Sequence, residues 1–286
     1  MVADDGQQLL RSNHHIVRGF VVPAWLVRVR PWLAVAAVVL IAGMLLPPLG
    51  SYAREYEFVE SLQFAVFAVA APALLMLGAP WRFLGLSRRP GRDSGRPAGL
   101  ADRLARSRGA GVGRAAVALV AFIMLAIAWR LPATVNALAR DPGVAVAEMA
   151  TLIAGGSGVW LELVESPPLL PRLSRPQRAA MAAVAMWTIW VLAYIMGMSK
   201  AAWFAAHSHA AAHGLSTAAD QQVAVGILWA VPALCFAPVI YGVLMAWLRD
   251  SQDPDEELRS AGAADAAHAG LSGWPRPPRG WQPPSA

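Results

Sequence analysis

The chain is marked by repeated stretches of about 20 residues nearly free of charge, and such a stretch has few options. In lipid the backbone finds no water, so the segment must satisfy its own amides as a helix, and roughly 20 helical residues cross a hydrocarbon core about 30 Å thick. Trp32 to Leu49, Ala179 to Ser199 and Val223 to Leu248 contain no Asp, Glu, Lys or Arg. Phe58 to Gly78, Gly111 to Leu131 and Val144 to Val164 carry ionisable groups only toward their ends: Glu60, then Arg114 and Arg130, then Glu148 and Glu162. Charged residues make up 15% of the chain and hydrophobic ones 57%, whereas soluble domains carry about 25% charged residues. The expected fold is therefore an all-α, polytopic integral membrane bundle of about six transmembrane helices.

The arginines orient the bundle, because short cytoplasmic loops are enriched in Lys and Arg. The N-terminal arm holds Arg11, Arg18, Arg28 and Arg30. The connection after the second span runs from Arg82 through Arg88, Arg89, Arg92, Arg96, Arg103 and Arg106 to Arg108, and the one after the fourth holds Arg172, Arg175 and Arg178. The alternate connections offer little beyond Arg54, Arg140 and Lys200. Both termini are thus expected in the cytoplasm. Residues 1–31 read as a cytoplasmic arm, 32–248 as the bundle and 249–286 as a disordered cytoplasmic tail, acidic at Asp250 to Glu257 and then rich in Ala, Gly and Pro. The loop from Leu86 to Gly111 reads as mobile. The first 31 residues are too polar for a signal peptide. A net charge of +6 does not signal nucleic acid, because these arginines flank spans instead of forming one basic face.

Aromatic residues give partial support to the boundaries: Tyr52, Tyr56, Trp129, Trp203 and Phe204 fall at the outer one and Trp81 and Trp247 at the inner one, while Trp190 is mid-span and does not fit. Ionisable groups within spans need a partner or a wet cavity. Glu60, Arg130, Glu148 and Asp220 all fall at the outer boundary, so Arg130 is expected to pair with Glu60 or Glu148. Two readings stay open for this outer polar cluster, a structural ion-pair network and a functional site.

His207, His209 and His213 share the outer loop before the sixth span, just after Met196 and Met198. Thioether and imidazole suit soft or borderline metals such as copper, and residues four apart share a helix face. A solvated loop and ordinary Met packing explain the same residues. Gly155-Gly156-Ser157-Gly158 lies inside an apolar span without a Lys, so it reads as close helix packing, not as a phosphate loop. The single cysteine, Cys235, is mid-span and excludes an internal disulfide or CxxC motif. Pro232 and Pro238 are candidates for kinking the sixth span. No nucleophile and base fall together, so an enzyme ranks last.

Glu60-Ser-Leu-Gln-Phe64 followed by Ala70-Ala-Pro-Ala-Leu-Leu-Met-Leu-Gly-Ala-Pro80 resembles the second-helix signature of the CtaG family of cytochrome c oxidase assembly proteins. Trp129-Arg-Leu-Pro132 is similar to that family's Trp-His-x-Pro, and Asp220-Gln-Gln with Trp229 to its terminal motif; the matches spread from about Glu57 to Leu248. The resemblance implies a multi-pass protein of the bacterial plasma (inner) membrane, belonging to the respiratory chain and linked to copper delivery. The family's histidines are largely replaced, with Glu60 and Phe64, Arg130, Ala145 and Met149 standing where it writes His, and only Glu148 surviving. Copper handling is then either lost or passed to Met149, Met196, Met198 and the loop of His207, His209 and His213.

The resulting expectation is a membrane-embedded oxidase assembly factor, not an enzyme, acting by copper delivery or by docking a cytochrome c oxidase subunit. Its partners would be the bilayer and that subunit, with no nucleic acid. The alternative is a small-solute or ion transporter lined by the Glu/Arg cluster.

Overall fold

The computed structural model describes residues 24–79, 111–164, 166, 171–199, 204 and 214–272, and the elements within them are helices. They are α1 (Ala24–Leu45), the short α2 (Leu49–Tyr52), α3 (Glu57–Ala65), a π-helical turn (Val66–Ala70), α4 (Ala71–Gly78), α5 (Gly111–Trp129), α6 (Pro132–Leu138), α7 (Pro142–Leu163), α8 (Arg175–Met198) and α9 (Thr217–Ser272). The expected residues of the arm before 24, the loop after Pro80, Trp81, Trp203, the histidine loop and the tail after 272 lie outside this description.

Among the described residues, five helices are long and apolar enough to cross a membrane: Glu57–Gly78, Val112–Trp129, Pro142–Leu163, Arg175–Met198 and Thr217–Arg249. At 1.5 Å per residue, the 22 residues of Glu57–Gly78 extend about 33 Å, enough for the hydrocarbon core. The chain is a multi-pass helical membrane protein. The expected span Trp32 to Leu49 takes a different form: its apolar helix is the shorter Val29–Leu45. Pro47 and Pro48 lack the N–H groups that would continue the ladder. At the other end α1 begins at Ala24, inside the expected arm, and Arg30 is buried.

The far terminus also differs from expectation. α9 runs unbroken through Pro232 and Pro238 and on past Asp250 to Ser272, where composition predicts a disordered tail. The stretch after Asp250 has too few apolar residues to pack, but its Ala, Glu, Leu and Arg are good helix formers.

Glu57–Gly78 forms the centre of the bundle. It packs against α1, α7 and α9, while α8 lies along α9 and α5 along α7. Its most apolar window is 67% buried, against 17% for that of Val112–Trp129, which faces outward along most of its length. The π-helical turn lies directly before Pro72, and Gly156 of α7 backs into it. A Cβ on Gly156 would meet the Ala68 carbonyl oxygen and approach Pro72 Cγ to 2.7 Å, and one on Gly155 would come within 2.7 Å of Leu125 Cδ1. The small-residue stretch therefore does what close helix packing requires. Beside it, Trp160 stacks on Phe236 with ring centroids 5.0 Å apart.

Leu77-Gly-Ala-Pro80 has a comparable role. Gly78 lies against the α1 backbone, where a Cβ would sit 2.6 Å from Ala34 N, and Ala79 ends the helix in the left-handed region at φ 48°. For a residue with a Cβ that conformation costs roughly 1–2 kcal/mol, and the packing of Gly78 holds the chain in it. The mid-span Trp190 is also accounted for. Its indole N–H donates to the Trp229 carbonyl at 3.0 Å, and its ring stacks on Trp229 at 4.6 Å.

Candidate functional site

α3 starts at Glu57 after an extended Tyr56 that supplies no side-chain cap. Its first amides are satisfied from α9: the Asp220 carboxylate accepts the N–H of Glu57 at 2.8 Å and of Phe58 at 2.9 Å. An anion at a helix N-terminus is favoured by the unpaired amides and by the dipole, so Asp220 caps a helix some 160 residues away in sequence and is itself 1% exposed. The next residue repeats the device at a C-terminus. Gln221 Nε2 donates to the carbonyl of Met196 at 2.6 Å, and to that of Ser199 at 3.4 Å, closing the end of α8.

One turn into α3, Glu60 meets Arg130, which follows the last residue of α5. Arg130 Nη1 donates to Glu60 Oε2 at 2.5 Å and Nη2 to Ser61 Oγ at 2.9 Å. The guanidinium lies 4.4 Å from the centroid of the Phe64 ring and 5.9 Å from that of Phe204. Such faces attract a desolvated cation, and Glu60, Arg130 and Phe64 are 6%, 3% and 1% exposed. Of the two expected partners of Arg130, Glu60 is the one bonded. Glu148 is also buried and feels the charges of Glu60 and Arg130, but among the described residues it has no ion-pair partner. Glu57, next to Asp220, completes the group.

Four carboxylates, Glu57, Glu60, Glu148 and Asp220, therefore surround one buried guanidinium. The Oε1 atoms of Glu57, Glu60 and Glu148 and the Nε of Arg130 have no hydrogen-bond partner among the described residues. A cavity of about 200 Å³ opens beside them, with Glu60, Gln63 and Glu148 on its polar wall and Arg54 at its exposed rim. Gln63 is fixed by donating to the Met44 carbonyl at 2.5 Å.

The expected cluster of Glu60, Arg130, Glu148 and Asp220 is thus assembled, with Glu57, Ser61, Phe64, Phe204 and Gln221 added. Phe204, expected at a lipid boundary, is instead fully buried over Arg130. Glu57 and Phe64 were readable in principle, lying three residues before and four after Glu60 on one helix face. Nothing local marks Phe204.

Of the candidate metal ligands, the three within the described residues, Met149, Met196 and Met198, are dispersed. Met196 is 2% and Met198 66% exposed. Two positions apart on a helix, they point in nearly opposite directions. Met149 is half-buried against the apolar core, and His207, His209 and His213 lie outside the described residues. No three His, Cys, Asp or Glu side chains among the described residues form a group able to hold a metal ion. The oxygen atoms and guanidinium of the cluster do not fit copper, which prefers thiolate, thioether or imidazole.

The fold and this site define a polytopic helical membrane protein with a buried cluster of four carboxyl side chains around one guanidinium at one end of its bundle. The family model described as cytochrome c oxidase caa3 assembly factor (Caa3_CtaG) matches residues 10–250, and the chain belongs to that family. No curated protein and no solved structure matched the chain.

Proposed function

We propose that the chain supports assembly of cytochrome c oxidase in a bacterial plasma membrane by binding, not by catalysis, and that the Glu60–Arg130 end of the bundle docks an oxidase subunit. The family gives the assembly role. The observation that carries the docking reading is the anchoring of the segment after α8: Gln221 holds its start through Met196 and Ser199, and Phe204 is buried over Arg130. His207 follows Phe204 by three residues in the sequence.

Copper chemistry, on this reading, belongs to His207, His209 and His213 with the exposed Met198, not to the carboxylates. Two measurements test the proposal. Deleting the gene should lower oxidase activity and the copper content of the oxidase, with restoration by the intact chain; membranes with full oxidase activity and copper would overturn the assembly reading. Purified chain should bind Cu(I), and the His207/His209/His213 triple alanine variant should not; no binding by either leaves docking alone. The transporter alternative draws no support from the comparisons.

A further inference from the structure

The cavity beside Glu60 and Glu148 is the least explained part of the molecule. It lies near one end of the membrane-crossing helices. Glu60 is three residues into Glu57–Gly78 and Glu148 six into Pro142–Leu163, which at 1.5 Å per residue puts them about 5 and 9 Å from those helix ends. That is the depth of lipid headgroups and the first acyl carbons.

Its lining has three chemically distinct parts. Its inner wall includes the buried carboxylate side chains of Glu60 and Glu148 and Gln63, whose amide nitrogen donates to the Met44 carbonyl; among the described residues Glu148 has no ion-pair partner. Arg54 stands at the rim, exposed to solvent. Leu45 and Val146 also line the cavity while remaining 44% and 57% exposed, an apolar margin at the opening.

A metal ion fits this poorly. Hard cations take six to eight oxygens, and no metal-holding trio exists among the described residues. A primary ammonium fits better, since it is a compact cation whose three N–H groups can donate to a wall of two carboxylates and an amide. Arg54 then requires the same ligand to carry an anion a short distance from the ammonium, and the apolar margin requires hydrocarbon attached to it.

We propose that this cavity is a binding site for the headgroup of a primary-amine phospholipid of the phosphatidylethanolamine type. The ammonium enters between Glu60, Gln63 and Glu148, the phosphate meets Arg54, and the acyl chains leave past Leu45 and Val146 into the bilayer. A choline headgroup has no N–H to donate, and a glycerol headgroup has no positive charge to offset Glu148. The site would tie the ion cluster to the lipid around it, and it stands independently of the assembly role.

Native mass spectrometry of the full chain, purified in detergent and titrated with phosphatidylethanolamine, phosphatidylcholine or phosphatidylglycerol, tests the assignment. Phosphatidylethanolamine is expected to bind at least tenfold more tightly than the other two. Glu148→Gln should lower that affinity about tenfold and leave phosphatidylglycerol unchanged. Arg54→Gln, a change at an exposed side chain that leaves the fold intact, should lower it several-fold. Equal binding of the three lipids, or undiminished phosphatidylethanolamine binding in the Arg54 variant, overturns the proposal. Free phosphoethanolamine competing as well as the lipid overturns the lipid assignment in favour of a soluble zwitterion.

Discussion

The two ends of the bundle handle buried carboxylates in opposite ways. At the end where α7 finishes, Glu162 accepts from Arg114 Nε at 2.9 Å and from its Nη2, and the Arg172 amide reaches its other oxygen at 3.3 Å. Nearby, Arg178 donates to the Leu163 carbonyl at 3.0 Å, Arg175 to that of Ala246 at 3.0 Å, and Ser166 to that of Met76 at 2.5 Å. One buried acid there meets several donors. At the opposite end four buried acids meet one guanidinium, and three of their oxygens are without hydrogen-bond partners among the described residues. The first arrangement closes helix ends. The second holds more carboxylates than cations where water is scarce, which a fold keeps at a cost and which marks a place for a cationic group to enter.

If that contrast is right, the two ends must respond differently to loss of their cations. Arg130→Ala should have the largest effect, about 3–5 kcal/mol of destabilisation, because it leaves Glu60 buried and unpaired among three other acids. Denaturant or thermal unfolding in detergent measures it. Asp220→Ala should follow at about 2–3 kcal/mol, since two amides at the start of α3 lose a charged acceptor; Asp220→Asn should recover part of this in the same assay. Arg114→Ala should cost about 1–2 kcal/mol, because its side chain is 38% exposed and water can replace part of the contact. Equal losses for Arg130 and Arg114 would erase the distinction between the ends. Glu148→Gln should be the smallest, within about 1 kcal/mol of wild type or stabilising, as it removes a charge without a partner; a loss as large as that of Arg130→Ala would show that Glu148 is a full member of the ion pair.

Most of this organisation was legible in the chain, and for identifiable reasons. Uncharged runs near 20 residues permit little except a spanning helix, so Ala179 to Ser199 and Val223 to Leu248 closely match the cores of α8 and α9. The rarity of ionisable groups inside spans made Glu60, Arg130, Glu148 and Asp220 stand out, and their common depth foretold their meeting. Exact partners were not legible, because Glu60 and Glu148 are equivalent to Arg130 until the helices rotate into place. The role of Asp220 was hidden for a similar reason. The donors it accepts from are backbone amides of α3, and nearly every residue has one, so no residue type flags the contact. Phe204 was misread because an aromatic near a boundary serves lipid or a buried cation equally well, and only tertiary packing chooses. The first span was overextended because the uncharged stretch runs on through Pro47 and Pro48, while the helix ends at Leu45 before them.

The account rests on the two ends lying on opposite sides of one membrane, with the ion cluster on the non-cytoplasmic side. In a Cys235→Ser background, single cysteines replace Tyr52, exposed beside the start of α3, or Leu248, exposed at the far end of the last span. Intact cells are then treated with a membrane-impermeant maleimide. The account predicts labelling at 52 in intact cells and at 248 only after permeabilisation. Labelling of both positions from the same side, or of 248 alone in intact cells, would contradict it.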